Sequence, residues 1–506
     1  MKRLRLTGSN LTLADLVAVS RREARASLGP QARRAMAASR RVVDRAVRGG
    51  AKVYGVTTGF GKFADVAIPR GQLEALQRNL VRSHAAGVGE ALSAPAVRAT
   101  MLLRANALAR GNSGIRVATV ETLLAMLAAD VLPVVPSQGS VGASGDLAPL
   151  SHLALGLLGE GKVRVGKREL PAALALRRSR IRPVALAAKE GLALINGVQM
   201  SVAVGGLALA RALDLCRVAD LVGAASLDAS RGSDTAFDAR IVAARPHPGA
   251  AASAKNLRAL LRGSAIREAH RGCGRVQDNY ALRCMPQVHG AARDAFEHAR
   301  AVLEREMNSA TDNPLVFAGR RGDILSGGNF HGAPVGLVLD YAAIAATDLA
   351  SISERRIEKL VNPALSELPA FLVRDGGLHS GLMMAQVTAA ALVSECKVLA
   401  HPASADSIPT SAAKEDHVSM SPIAARKLAA IVANLENVLA IETIAAFQAM
   451  EFLRPLKSSA PLEVVRREFR RAVHPWNRDR EMHLDIEAAR RFLGSDAMAR
   501  AVAGLA

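Results

Sequence analysis

Residues 139–151 read GSVGASGDLAPLS. They end a longer stretch, 111–151, that is rich in glycine, serine and proline. Such stretches interrupt helices and strands and hold irregular backbone, where functional groups concentrate. We therefore expect the chemistry of this protein to centre on residues 139–151.

The tripeptide Ala143-Ser144-Gly145 within this run can form an electrophile from its own backbone. The amide nitrogen of Gly145 can attack the carbonyl carbon of Ala143, because glycine has no side chain to block the approach. Loss of water closes a five-membered ring, and loss of a second water from Ser144 leaves an exocyclic methylene. The same tripeptide is common in proteins and usually forms only a turn, so the rest of the sequence has to decide between the two interpretations.

The composition predicts a mainly α-helical fold. Half of the 506 residues are hydrophobic but only 3% are aromatic, so the core must be built from Ala, Leu, Val and Ile. Ala and Leu are strong helix formers. We expect an N-terminal mixed region over 1–190 and a long central helical bundle with C-terminal helices over 191–506. Ala/Leu-rich segments longer than an average helix lie at 197–228, 285–309, 334–361, 380–399 and 423–453.

Local patterns predict shorter elements in the N-terminal region. Residues 10–16 have the pattern of a capped helix start, and 51–56 are a strand candidate. A small hairpin is expected at 163–165, where Gly166 follows. Further helices are predicted at 31–49, 71–83 and 95–110.

The chain is strongly basic, with 66 Lys and Arg against 45 Asp and Glu and a net charge of +21. Such a balance can indicate nucleic-acid binding. However, three Tyr and one Trp leave little for bases to stack on. The basic residues also come as scattered pairs, namely Arg33-Arg34, Arg40-Arg41, Arg320-Arg321, Arg355-Arg356, Arg470-Arg471 and Arg490-Arg491. We expect no specific nucleic-acid binding, and attraction of an acidic substrate or product is a milder interpretation.

Other features argue against several classes of protein. The four cysteines lie far apart without a Cys-x-x-Cys pair, which disfavours a disulfide framework and a zinc site. The histidines show no metal-ligand spacing, so no metal is expected. The basic N-terminus lacks the apolar run of a signal peptide, and no stretch of about 18 apolar residues is free of polar groups. We expect a cytoplasmic protein with no membrane partner.

Eight short blocks, in order along nearly the whole chain, resemble the histidine and aromatic amino-acid ammonia-lyase family. The first two read YGVTTGFG and SHAAGVG, the third contains the Ala-Ser-Gly tripeptide, and the last reads EDHVSM. Eight ordered blocks do not arise by chance. They lie at 54–61, 83–89, 139–151, 189–197, 277–284, 312–315, 327–331 and 415–420.

The resemblance implies an activity and an assembly. The family's electrophile is 4-methylidene-imidazole-5-one, here formed from Ala143, Ser144 and Gly145, with no external cofactor. The reaction is the non-oxidative removal of ammonia from an amino acid. The family fold is mainly α, and its members are usually homotetramers in which three subunits share each active site.

The resemblance also assigns catalytic roles. Tyr54 is expected to take the β-proton of the substrate, for which it must lie within hydrogen-bond reach. Tyr280 is also expected to be catalytic, and to line the amine and carboxylate side of the site with Asn196 and Gln277. Arg283 is expected to bind the substrate carboxylate through a bidentate pair. By residue type alone, Tyr54 would be a core aromatic and Arg283 part of a surface salt bridge.

The remaining predicted residues concern the substrate side chain. Phe330 is expected to pack beside the electrophile, and His84 and Glu415 to hydrogen-bond an imidazole, a polar contact that a phenyl ring cannot satisfy. By residue type alone, Phe330 would be a core residue and Glu415 a solvated one.

Ser83-His84 and Glu415 resemble the residues at these positions in the histidine-specific members of the family. Tyrosine and phenylalanine lyases have His-Leu or Phe-Leu at the pair 83–84. The resemblance thus implies conversion of L-histidine to trans-urocanate and ammonia, the first step of histidine degradation. The alternatives are a tyrosine or phenylalanine ammonia-lyase, or a 2,3-aminomutase, of the same family. A remote alternative is an inactive basic helical scaffold that binds nucleic acid.

Some positions depart from the family pattern. Asn279 stands where the family has Pro, Ala281 where it has Ser or Thr, and Ala333 where Glu is frequent. None of these changes removes an expected catalytic group, but all three bear on the shape of the pocket.

Overall fold

The computed structural model of the protein describes residues 1–274 and 276–506. Over these residues 58% of the chain is helical, in 21 helices, which confirms the predicted mainly α-helical class. The described residues form two compact units that are each discontinuous in sequence. The first unit comprises Met1–Ala210, Ala299–Asp340 and Pro402–Arg426, and the second comprises Arg211–His298, Tyr341–His401 and Lys427–Ala506. The proposed division of the sequence at residue 190 stays a prediction.

The first unit contains all nine strands of the described residues, in four small sheets. The strands are Lys2–Leu6 (β1), Ala24–Leu28 (β2), Val88–Ala91 (β3), Leu132–Pro133 (β4), Pro136–Gln138 (β5), Lys162–Val165 (β6), Arg168–Pro171 (β7), Leu315–Phe317 (β8) and Asp323–Leu325 (β9). β1 and β2 are parallel, whereas β3–β5, β4–β6–β7 and β8–β9 are antiparallel. The β6–β7 hairpin turns at Gly166 and confirms the hairpin predicted there.

The first 229 residues also contain nine α-helices. These helices are Leu13–Ser20 (α1), Pro30–Arg48 (α2), Leu73–His84 (α3), Ala94–Ala109 (α4), Val117–Ala128 (α5), Leu147–Leu157 (α6), Ala172–Arg178 (α7), Glu190–Ile195 (α8) and Gln199–Ala229 (α9). α1 begins with a capping box in which Thr12 and Asp15 bond each other's backbone N–H groups. This confirms the capped start predicted at 10–16.

Helix α4 lies in the interior of the first unit. Ser93 caps its first turn through a bond from the Ala96 N–H group. From Ala96 to Ala109 every residue except Arg98 is buried, and Arg104 is completely so. A helix that is buried on all sides is expected to be apolar throughout, so Arg104 stands out on it.

Two local predictions differ from the structure. Residues 51–56 form a turn and not a strand, because the N–H groups of Val56 and Thr57 both bond to the carbonyl of Val53. Gly55 there has a φ of +67°, which a strand does not permit. The region 111–151 is irregular only in part, since its apolar residues 117–128 form α5.

Twelve further helices lie in the remainder of the described residues. They are Ala239–Ala243 (α10), Pro248–Leu261 (α11), Ala265–Glu268 (α12), Tyr280–Arg283 (α13), Met285–Met307 (α14), Ala333–Val361 (α15), Pro363–Ser366 (α16), Met383–Leu399 (α17), Ser421–Glu451 (α18), Ala460–Phe469 (α19), Met482–Leu493 (α20) and Asp496–Val502 (α21). The five long segments predicted from Ala/Leu content correspond to α9, α14, α15, α17 and α18 and are confirmed as helices.

The second unit buries charged side chains that bond to one another. Arg356 and Glu442 are completely buried and joined by two hydrogen bonds, of 2.5 and 2.9 Å. Ser226 and Ser353 also donate to Glu442. A buried ion pair of this kind is tolerated because its polar atoms are satisfied.

Helices α15 and α18 are long and apolar enough to cross a membrane by length and composition alone. Of their most apolar windows, 61% and 67% are buried inside the protein, as in the core helices of proteins that cross no membrane. They are therefore weak indicators of a membrane span. Among residues 1–274 and 276–506 no cluster of three or more His, Cys, Asp or Glu could hold a metal ion.

Candidate active site

A cavity of about 1200 Å³ lies within the first unit, and the Ala143–Ser144 segment forms part of its wall. Gly145, the next residue, is buried. Predicted site residues from distant parts of the sequence share this wall, namely Tyr54, His84, Ala143, Ser144, Asn196, Phe330 and Glu415. The fold thus brings together groups that the sequence separates by up to several hundred residues.

Gly145, next to Ser144, is packed directly against Gly197, which follows the end of α8. Gly145 and Gly197 form a parallel β-bridge, and their φ angles are +73° and +146°. A Cβ atom placed on Gly145 would lie 2.3 Å from the carbonyl group of Gly197, closer than atoms can approach. Only glycine fits at both positions.

Two hydrogen bonds hold the tripeptide against this bridge. Asn196, the C-terminal cap of α8, donates from Nδ2 to the Ser144 carbonyl at 3.0 Å. The backbone N–H group of Asp146 donates to the Gly197 carbonyl at 2.7 Å. The peptide groups on either side of Gly145 are therefore fixed in orientation.

The other end of the loop is held by the segment before α18. The N–H group of Met420 donates to the Val141 carbonyl at 2.8 Å, and the Ser419 hydroxyl donates to the Gly142 carbonyl at 2.9 Å. Gly142 has a φ of +71° and leaves no space for a side chain next to Ser419. Both ends of the tripeptide are thus anchored.

Asp146, directly after the tripeptide, is completely buried. Burial raises its pKa to about 6, although Ser201, the Met200 N–H group and the charge of Arg104 act in the opposite direction. Ser201 donates to Asp146 through its N–H group at 2.8 Å and through its hydroxyl at 2.7 Å. The carboxyl group therefore fastens the start of α9 to the loop.

The hydroxyl of Ser144 has a single acidic partner in the cavity wall. It donates to Oε1 of Glu415 at 2.7 Å, and the hydroxyl of Thr410 donates to Oε2 of the same carboxylate at 2.6 Å. Both oxygens of Glu415 are therefore held, and its carboxylate has one orientation.

The turn that carries Glu415 has an unusual backbone. Ser411, Ala412 and Ala413 all have left-handed φ angles, of 51°, 54° and 61°. Each such residue costs roughly 1–2 kcal/mol relative to the right-handed form. The turn is closed by a backbone bond of 2.9 Å from the Thr410 N–H group to the Glu415 carbonyl. Strain of this size next to a cavity is typical of a functional segment.

His84 is the last residue of α3 and is half-buried. Its Nδ1 lies 2.9 Å from the Leu80 carbonyl, which can only accept a hydrogen bond. Neutral His84 therefore carries its hydrogen on Nδ1 and leaves Nε2 as an acceptor. Burial lowers the pKa of His84, while the Leu80 bond and the charge of Glu415 act in the opposite direction.

Tyr54 lies in the turn that follows α2, and its ring packs edge-on to Phe60 at 6.5 Å between centroids. The N–H group of Gly61 donates to the Tyr54 hydroxyl oxygen at 3.4 Å. The apolar side chains of Phe60, Ile68 and Leu192 also line the cavity.

Phe330 and its neighbours line another part of the cavity. His331 donates from Nε2 to the His417 carbonyl at 3.1 Å, and the two imidazole rings stack at 5.8 Å. Ala333 also lines the cavity, so its small side chain contributes directly to the pocket's shape.

Three predicted site residues, Gln277, Tyr280 and Arg283, belong to the second unit and are not among the described residues that line this cavity. Tyr280 is 71% exposed. The guanidinium of Arg283 lies over its ring, 4.6 Å from the centroid. Asn279, one of the positions that departs from the family pattern, is the N-terminal cap residue of α13 but makes no side-chain capping bond.

The comparison with known proteins identifies the family. The family model for aromatic amino acid lyases matches residues 11–471. The chain belongs to the aromatic amino acid lyase family.

Individual members of this family are similar to the chain over nearly its whole length. It is 54% identical over 505 residues to the histidine ammonia-lyase of Sorangium cellulosum, with 98% of each chain covered. The structure of histidine ammonia-lyase from Trypanosoma cruzi has 46% identity and a TM-score of 0.92, covering 99% of this chain and 95% of that one. Tyrosine aminomutase from Streptomyces globisporus has 36% identity and a TM-score of 0.94, with 99% of each chain covered. Ammonia-lyases and aminomutases thus share this fold, so the difference between the two activities has to come from side chains.

Several residues around the lyase site were not singled out from the sequence. Thr410 and Asp146 lie inside or beside the quoted blocks but have no motif of their own. Gly197 closes a block, and only the bridge to Gly145 shows why it is glycine. Arg104 had a visible signal, a lone charge in the apolar run LLRANAL, that sequence reasoning did not use.

Proposed function

We propose that this lyase converts L-histidine to trans-urocanate and ammonia without oxidation. The observation that carries the proposal is the presence of His84 and Glu415 in the same cavity wall as Ser144. Relatives whose names specify histidine ammonia-lyase support the same substrate.

The Ala143-Ser144-Gly145 segment fits the requirements of 4-methylidene-imidazole-5-one. Gly145 has no side chain and no space for one, and Ser144 supplies a hydroxyl that can leave. When formed, this group supplies an electrophile that draws electrons from the substrate nitrogen and makes it a better leaving group. We propose that no external cofactor takes part.

Tyr54 is the proposed base. It removes a proton from the substrate Cβ, the electron pair of that bond forms the double bond, and the Cα–N bond breaks to release ammonia. Its position in the cavity wall supports this role.

Asn196 is proposed to contact the amine and carboxylate side of the substrate. Its Nδ2 is engaged by Ser144, whereas its buried Oδ1 has no hydrogen-bond partner among the described residues. An unpaired buried acceptor suits a substrate ammonium or amine group, which carries only donors when charged. Phe330 is proposed to pack beside the electrophile.

His84 and Glu415 are proposed to bind the two ring nitrogens of the imidazole. Nε2 of neutral His84 is an acceptor and suits the ring N–H group. The other ring nitrogen then faces Glu415, whose carboxylate accepts a hydrogen bond from it when the substrate ring is protonated. A phenyl or phenol ring offers no such nitrogen.

We further propose a cytoplasmic homotetramer in which neighbouring subunits supply Gln277, Tyr280 and Arg283 to the cavity. The high exposure of Tyr280 and of Val276, 71% and 95%, supports this because both would be covered by a second subunit. Mixing Ser144→Ala protein with Tyr280→Phe protein under conditions of subunit exchange should restore activity, since some sites would receive both intact residues. No recovery after proven exchange would contradict shared sites.

The substrate is tested by steady-state kinetics on histidine, tyrosine and phenylalanine. We expect urocanate to accumulate from histidine, seen by its ultraviolet absorbance, with little product from the other two. The tyrosine aminomutase relative makes one further measurement necessary. Chromatography of the products should show no β-amino acid, and its presence would favour an aminomutase.

A further inference from the structure

The side chain of Arg104 is completely buried beneath the loop that contains Ser144. Its Nη1 donates to the Asn196 carbonyl and to Oε1 of Gln199, both at 2.7 Å. Neither Nε nor Nη2 has a hydrogen-bond partner among the described residues. A buried charge with unpaired donors lowers stability, so its presence calls for a reason other than stability.

The Asn196 carbonyl belongs to the peptide group that holds the reactive loop. On one side of this peptide, Asn196 Nδ2 bonds to the Ser144 carbonyl at 3.0 Å. On the other side, the Gly197 carbonyl accepts from the Asp146 N–H group at 2.7 Å. By fixing the peptide between these two contacts, Arg104 fixes the orientation of both.

The atoms behind the loop are closely packed. A Cβ atom on Gly197 would lie 2.7 Å from Nη1 of Arg104, and one on Gly145 would lie 2.3 Å from Gly197. Arg104 therefore packs against Gly197, and Gly197 packs against Gly145. Burial lowers the pKa of Arg104 to about 10, against the effect of Asp312 and Asp146, so the side chain remains charged at neutral pH.

We propose that Arg104 is a positioning residue for the formation of the electrophile, acting through the Asn196–Gly197 peptide to hold Gly145 against Ala143. The inference rests on the proposed function, in which Ala143-Ser144-Gly145 cyclises. The Gly145 nitrogen bonds to the Ala143 carbonyl carbon, whose oxygen leaves as water with the amide protons of Gly145 and Ser144. Ser144 then loses its hydroxyl together with its α-hydrogen, as a second water.

The proposal predicts a variant that folds but does not mature, that is, does not form the electrophile from Ala143-Ser144-Gly145. We expect Arg104→Met, which keeps length and removes the donors, to retain wild-type circular dichroism and elution volume while its intact mass lacks the loss of two waters. Arg104→Lys keeps the charge but replaces the planar guanidinium with a single ammonium group. Because a misplacement of about 1 Å can slow a reaction roughly 100-fold, we expect Arg104→Lys to mature about 10- to 100-fold more slowly after synthesis.

The matched control is Arg356→Lys in the second unit, where the arginine is equally buried and bonds to Glu442. It should lower the melting temperature but still lose two waters at the wild-type rate. Folded Arg104→Met protein with the complete mass loss would overturn the proposal. If Arg104→Met does not fold, Arg104→Lys is the test. Formation of the electrophile in Arg104→Lys at the wild-type rate would overturn the proposal. Equal slowing in Arg356→Lys would also overturn it. A wild-type protein without the mass loss would instead overturn the proposed function.

Discussion

The hydroxyl of Ser144 donates a 2.7 Å hydrogen bond to Glu415, although 271 residues separate the two. The group proposed to leave during maturation thus touches the group proposed to select the imidazole. A substitution at either residue can therefore affect both maturation and substrate choice. Each kinetic comparison at this site consequently needs the intact mass of the same preparation.

Replacing Ser144 with Ala should abolish activity and leave the fold intact. Only Ser144 can supply the methylene carbon, because its hydroxyl is the one that can leave from the tripeptide. Wild-type protein should be lighter than its sequence by two waters, and the variant should not form the complete electrophile. Intact-mass measurement and circular dichroism test this, and an unmodified mass in freshly purified, active wild-type enzyme would refute the mechanism.

Replacing Thr410 with Val should reduce turnover of histidine. The hydroxyl of Thr410 holds Oε2 of Glu415 at 2.6 Å, and valine keeps the shape without the donor. Loss of a hydrogen bond to a charged group corresponds to about 1.5–3 kcal/mol, which is roughly 10-fold or more in kcat/KM. Thr410→Ser, which keeps the hydroxyl, is the control and should be near wild type with a complete mass loss. Equal kcat/KM in the two variants would show that Thr410 does not position the carboxylate.

The sequence predicted the helical core and many of the groups in the cavity because these leave local signals. Ala/Leu-rich segments have the length of helices, and the block around Ser144 has its own chemistry. The strand expected at 51–56 was wrong because apolar composition does not reveal the left-handed backbone of Gly55. The contact between Ser144 and Glu415 could not be predicted in its geometry, since no local pattern encodes a meeting of such distant residues.

Arg104 shows a second reason why the sequence alone does not predict the whole site. A lone arginine on an apolar helix is usually read as a residue that reaches solvent. Only the three-dimensional structure shows that its guanidinium ends on the Asn196 carbonyl inside the protein. The left-handed turn before Glu415 is similar, because Ser411, Ala412 and Ala413 carry no glycine or asparagine signal for that conformation.

Glu306 should make stability depend on pH. Burial raises its pKa from 4.5 to about 7, so protonation of the folded state stabilises the protein below pH 4.5 and this contribution is lost as the pH rises through 7. Glu306→Gln removes the titration. Relative to wild type, the variant should gain at most about 3 kcal/mol in unfolding free energy between pH 4.5 and about pH 8. Unfolding free energies of wild type and Glu306→Gln at both pH values test this. The control is Glu23→Gln, which changes an exposed glutamate. The same pH dependence of the unfolding free energy in all three proteins would refute the prediction.

Nucleic acid should bind weakly and only through charge. The scattered arginine pairs can make few simultaneous phosphate contacts, although the net charge is +21. Affinity should therefore fall steeply with added salt and show no sequence preference. Titrations of a labelled duplex over a range of salt concentrations measure this. Tight, sequence-selective binding at physiological salt would favour the scaffold interpretation over the enzyme.

Replacing Glu415 with Gln should damage turnover of histidine far more than any trace turnover of tyrosine or phenylalanine. With a protonated imidazole bound, Glu415 is the charged acceptor of a ring N–H group, and a neutral amide removes that charge. A phenyl ring would leave the Glu415 carboxylate without that partner, at a cost on the order of 1–3 kcal/mol, or roughly 10- to 100-fold in selectivity. Steady-state kinetics of wild type and variant on all three amino acids measure the effect, and preparations with complete mass loss exclude a defect in maturation. If wild type prefers tyrosine or phenylalanine, the family assignment stands, the histidine assignment is wrong, and the positions to examine next are Asn279, Ala281 and Ala333, of which Ala333 lines the cavity.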